Sequence, residues 1–119
     1  MSEETHASLH ELFGTVNLTA MRQLALLSRR GHLVDAAGEN RYLTHLDRLA
    51  IPIAYIHGED NDCVLPVSTE RTRALLSATN GDHLYRRHVI PAYGHVDCMI
   101  GRDAAKYVFP LIAGHLSDA

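Results

Sequence analysis

The feature that most narrows what this chain can fold into is a nearly unbroken apolar run: Ile51, Ile53, Ala54, Tyr55 and Ile56, closed by His57-Gly58. A strand with one wet face alternates apolar and polar side chains. A run without alternation predicts a strand at 52–57 covered on both faces, as in a parallel sheet. Pro52 suits the first position of such a strand, where its missing N–H matters least. A helix is predicted at 68–79, capped by Ser68 or Thr69 and stopped by Asn80-Gly81. A second strand follows at 84–90. Strand, helix and strand, with a connection of helix length, imply two parallel strands joined by a right-handed crossover. Arg86, Arg87 and His88 place the second strand at a sheet edge. The expected fold class is α/β.

The rest of the chain reads as helices and turns. A short helix is predicted at 5–13, where His6 and His10 fall one turn apart. The spacing would suit a shared metal ion, but no further ligands lie nearby, and a solvated face is the reading. A stronger helix is predicted at 18–30, with Asn17 as its cap, Gly31 as its left-handed stop, and Arg29-Arg30 at the negative end of its dipole. Leu43, Leu46 and Leu49 lie at helical spacing in a short helix over 42–49. A final helix is expected from Arg102 or Asp103 to about Leu116, kinked at Pro110 because proline removes a backbone donor and crowds the preceding turn. The chain thus divides into a helical segment, 1–50, and a βαβα segment, 51–119, within one domain or part of one.

Composition excludes several classes of function. The net charge is -3, and the longest basic runs are the pairs Arg29-Arg30 and Arg86-Arg87, so no nucleic-acid surface is read. No apolar run is long enough to span a membrane. The start Met-Ser-Glu-Glu-Thr-His is neither a signal nor a transit peptide, and a cytoplasmic location is the expectation. Cys63 and Cys98 fit no zinc spacing and are expected as reduced thiols. There is no G-x-G-x-x-G fingerprint, and no cofactor or metal is called for.

The chemistry-bearing stretch is Tyr93-Gly94-His95-Val96-Asp97-Cys98, just past the second strand. Imidazole there can change charge near neutral pH, as general acid/base work requires. If the strands are parallel, the loop Gly58-Glu59-Asp60-Asn61-Asp62-Cys63-Val64-Leu65-Pro66 opens at the same edge, the edge where open α/β sheets bind ligands. Asp60 or Asp62 would then orient His95 through a carboxylate–imidazole hydrogen bond.

Three blocks of sequence carry a family resemblance: His57-Gly58-x-x-Asn61-x-x-x-Leu65-Pro66-x-Ser68-Thr69, Asn80-Gly81-x-x-x-Tyr85-x-Arg87, and Ile90-Pro91-x-Tyr93-Gly94-His95-x-Asp97-Cys98-x-x-Gly101-x-x-Ala104-Ala105. Together they resemble the C-terminal half of an α/β-hydrolase domain. They look most like the hydrolase-like extension of cholesterol-oxidase-type flavoproteins of the glucose–methanol–choline oxidoreductase superfamily. The block around His95 and the helix through Val108-Phe109-Pro110-Leu111-Ile112 also look like the end of acid lipases. The resemblance implies that residues before Ile51 are cap-like, that His95 is the catalytic histidine, and that Asn61 stands where lipases place the acid, flanked by Asp60 and Asp62. It also implies a nucleophile in a G-x-S-x-G elbow, and none of the serines here lies in that pattern.

The expectation is therefore a lipase- or esterase-like C-terminal segment, inactive alone, that acts on an ester or lipid only if a nucleophile-bearing N-terminal half is supplied. Its rivals are a non-catalytic module that docks or forms homo-oligomers through exposed sheet edges, a piece of a cholesterol-oxidase-type flavoprotein, and a cysteine enzyme using Cys98 beside His95.

Overall fold

A computed structural model describes residues 17–118, together with Glu3, Ala7 and Thr15. The helix predicted at 5–13, with His6 and His10, lies outside the described residues.

The first helix, α1, runs Leu18–Arg30. The Asn17 side chain accepts from the Thr19 N–H at its start, and Gly31 ends it with a left-handed φ of 69°. Such a φ costs glycine nothing, because it has no Cβ to strike the following carbonyl. No residue of α1 is buried. The Gln23 side-chain amide ties the helix to the turn that follows by donating to the Val34 carbonyl at 2.9 Å.

The expected short helix at 42–49 forms as a 3-10 helix, Leu43–Leu49, interrupted at His45 by non-helical backbone (φ -129°, ψ 39°). Two side chains hold it from outside. The Tyr85 hydroxyl donates to the Leu49 carbonyl at 2.7 Å, and the Asn80 amide donates to the Leu46 carbonyl at 2.9 Å.

Strand β1, Ile53–Gly58, and strand β2, Tyr85–Ile90, form a two-stranded parallel sheet in register from Ile53 opposite Tyr85 to Gly58 opposite Ile90. Helix α2, Pro66–Asn80, makes the crossover, and a 3-10 turn, Asp82–Leu84, leads into β2. The start of α2 corrects the sequence expectation. Leu65 sits at the cap position with Pro66 in the first turn, and neither Ser68 nor Thr69 caps it. Proline favours that position because its missing N–H would find no partner inside the helix and its fixed φ is already helical.

After β2 come three short helices: α3, Asp97–Ile100; α4, Ala104–Tyr107; and α5, Phe109–Asp118. The single kinked helix expected at 102–116 is instead broken at Val108. Pro110 falls in the first turn of α5, where it starts a helix and does not bend one.

Both faces of the sheet are covered, as the apolar run required. The face bearing His57, Tyr85 and Arg87 meets α2, through Thr69 against His57 and Arg73 against the Tyr85 carbonyl. On the opposite face Ile90 packs with Ala104 and Val108, joined by Ile56, Tyr93, Cys98 and Leu111. Helix layers on both sides of a parallel pair make this an α/β arrangement.

Candidate functional site

The loops after β1 and β2 emerge side by side at the C-terminal edge of the sheet and are joined through their backbones. The Glu59 N–H donates to the Ile90 carbonyl at 2.9 Å, and the Asp60 N–H donates to the Tyr93 carbonyl at 3.0 Å. Gly58 makes this approach possible. A Cβ there would lie 2.2 Å from the Tyr93 oxygen, which no other residue type can accept.

The first loop is stiffened by Asn61, only 6% exposed. Its Oδ1 accepts from the Cys63 N–H at 3.1 Å and the Val64 N–H at 3.0 Å. An Asx turn of this kind fixes the loop by tying two of its own backbone donors to one side-chain oxygen. His57, 5% exposed, sits beneath. Its Nε2 lies 2.8 Å from the Val64 carbonyl. A carbonyl only accepts, so Nε2 carries the proton and Nδ1 faces the Thr69 hydroxyl at 3.5 Å. The Thr69 hydroxyl donates to the Pro66 carbonyl at 3.0 Å and accepts from Arg87 Nε at 3.0 Å. Arg87 also donates to the Pro66 carbonyl at 2.8 Å and pairs with Glu70 at 3.0 Å. Sequence reasoning missed this network. Its signal was an arginine paired in register with the apolar face of β1, a position that requires a buried partner.

His95 lies in the turn beyond β2, exposed. The structure brings its loop against the loop of Asp60, Asn61 and Asp62. However, no hydrogen bond or ion pair among the described residues links His95 to any of the three. Asp60 and Asp62 are exposed, and the Asn61 amide oxygen is turned into its own loop. The His95 turn is held instead by Asp97, whose Oδ2 accepts from the Gly94 N–H at 2.8 Å.

Beside this turn lies an open cleft of about 350 Å³, lined by Ala92, Tyr93, Asp97, Gly101, Arg102 and Asp103. Ala92 adopts a left-handed φ of 59°, rare for a residue with a side chain. The Tyr93 hydroxyl is buried without a hydrogen-bond partner. Burial first, then the charges of Asp103, Tyr107, Asp97 and Cys98, push its ionisation up, so it stays a neutral donor. Burial first, then Asp97, likewise pushes the Cys98 thiol up. That is the wrong direction for a nucleophilic thiolate and counts against Cys98 as a catalytic partner of His95.

Among the described residues no group of three or more His, Cys, Asp or Glu side chains is placed to hold a metal ion, and no helix is long and apolar enough to cross a membrane. No protein-family model, curated protein or solved structure matches the chain.

Proposed function

We propose that the chain is the histidine-bearing C-terminal segment of an α/β-hydrolase-type domain, lipase- or esterase-like, and silent towards esters by itself. The observation that carries this reading is the joining of the two strand-end loops at one sheet edge, with His95 on the solvent side of that junction. With a second polypeptide segment supplying a nucleophile, the reaction would be acyl transfer to water. His95 would take the nucleophile's proton and return it to the leaving group, and Asp62 or Asp60 would turn towards its ring. Alone, the chain has no elbow serine and no oxyanion donors arranged around one. Each such donor is commonly worth about 2.7–4 kcal/mol of transition-state stabilisation, so their joint loss leaves only imidazole catalysis. The purified chain, assayed with a short-chain ester, is expected to show a linear, unsaturable rate at the background of free imidazole. Saturable turnover abolished by His95→Ala would overturn the reading and reveal a nucleophile on this chain.

A second reading, a module that associates through its open surfaces, is favoured by the large apolar side chains left in solvent. Leu18 is 75% exposed, Met99 76% and Leu116 71%.

A further inference from the structure

The two outer edges of the sheet are unequal. The Glu59-to-Ile90 bond fixes the phase of the parallel ladder. Residues 55, 57 and 59 point their backbone groups towards β2, which leaves Ala54 and Ile56 pointing theirs outwards. Among the described residues no backbone hydrogen bond from another element reaches Ala54 or Ile56. On β2 the outward residues are Tyr85, Arg87 and Val89. There the Tyr85 N–H already donates to the Asp82 carbonyl, and its carbonyl accepts from Arg73 Nε at 3.2 Å. β2 also carries Arg86, Arg87 and His88, whereas β1 carries no charged residue and its one histidine, His57, is buried. Charge and side-chain capping are the usual protections of an edge strand, and among the described residues β1 has neither.

We infer that β1 is a self-association edge, and that its occupant is the β1 strand of a second copy of this chain. A two-fold axis sets a strand against itself in antiparallel fashion, so that only the residue on the axis meets its own copy and the others pair reciprocally about it. For β1 the axis falls at Tyr55, which meets its own copy, while Ala54 lies across from Ile56 of the second copy, a pairing without repulsion. For β2 the axis would fall at Arg87, setting that arginine against its own copy and Arg86 across from His88 of the second copy, and like charges facing across a strand pair destabilise it. A head-to-tail pairing of β1 on β2 would meet the Arg73 cap and leave both terminal edges open. The dimer is therefore a continuous four-stranded sheet in the order β2-β1-β1-β2. Ile51, 54% exposed just before β1, extends the apolar strip at each end. Self-pairing also closes β1 to any completing strand, which fits a chain silent by itself. The inference stands on the edge geometry, so a failed ester prediction would leave it intact.

Sedimentation of the whole chain across micromolar concentrations is expected to show a species of twice the 13.2 kDa chain mass that dissociates on dilution. Amide hydrogen exchange on the same samples should show the Ala54 and Ile56 N–H groups slowed at high concentration and released on dilution, while those of Arg87 and Val89 stay fast at both. Ala54→Pro removes one outward donor without touching the ladder to β2, and it should sediment as a folded monomer. If that variant fails to fold, the exchange pattern of the unaltered chain decides the question. A monomer at every concentration, protection at Arg87 and Val89 instead, or a folded Ala54→Pro dimer would each overturn the proposal.

Discussion

Gly58 is the residue on which the candidate site most depends. Its missing side chain lets the Tyr93 carbonyl come within 2.2 Å of the Cβ position, so the two strand-end loops can share hydrogen bonds. Gly58→Ala must push the loops apart or distort the strand end. The expected loss, about 1–3 kcal/mol, is that of overpacking a well-filled site. Urea unfolding should show a lower midpoint with an unchanged slope, and the Asp60 amide should exchange faster. An unchanged midpoint would mean that the loops are not joined in solution. Asn61 teaches a related lesson. Its position suggested an acid-like partner for His95, but its side-chain oxygen is already committed to two backbone donors of its own loop.

Among the elements, the junction of β1, α2 and β2 is the most tightly specified. His57, Thr69, Arg87 and Glu70 come from three different elements, and their side chains meet around the Pro66 carbonyl. The Thr69 hydroxyl is the hinge of that network, because it accepts from Arg87 while donating to Pro66. Thr69→Val keeps the volume and removes both bonds, leaving a largely buried guanidinium one acceptor short. The expected cost is about 1–3 kcal/mol, read as a fall in the unfolding midpoint. Thr69→Ser should restore most of it, since the hydroxyl and not the methyl group makes the bonds. If Val and Ser variants unfold alike, packing, and not hydrogen bonding, holds the crossover in place.

For the whole molecule, the face of the sheet under Ile90 sets the response to alkali. Cys98 packs there, and burial raises its ionisation, as it does that of Tyr93. A raised value in the folded state means that the neutral form is favoured by folding. The associated stability is complete below the ordinary thiol range and is lost as pH climbs through the folded-state value. Thermal unfolding should therefore hold steady from neutrality to about pH 8.5 and decline above it. Cys98→Ser should flatten the first part of that decline. A decline of the same shape in Cys98→Ser would assign the effect elsewhere. At this scale the described residues also bury little of their apolar material. Among the described residues Val34, Leu76 and Val108 are the largest fully buried side chains, while α1 buries none of its own.

The direction of the sheet was legible in the sequence, because an apolar run without alternation has only one stable setting, between two layers. Together with a connection of helix length it also determined that the Asp60 and His95 loops open at the same edge. The left-handed stop at Gly31 and the cap at Asn17 were legible too, since both depend on neighbours within one turn. Only the tertiary structure decided the rest. Helix α2 begins at Pro66 and not at Ser68 or Thr69, and this leaves the Thr69 hydroxyl free to bridge Arg87 and the Pro66 carbonyl. Pro110 opens a helix because the chain has already broken at Val108, whose buried side chain is held against Ile90. His95 makes no hydrogen bond or ion pair with Asp60, Asn61 or Asp62 among the described residues, although their loops are joined. Strand order brings backbones together, but which side chains bond depends on the groups within about 3 Å, and those come from residues far apart in sequence.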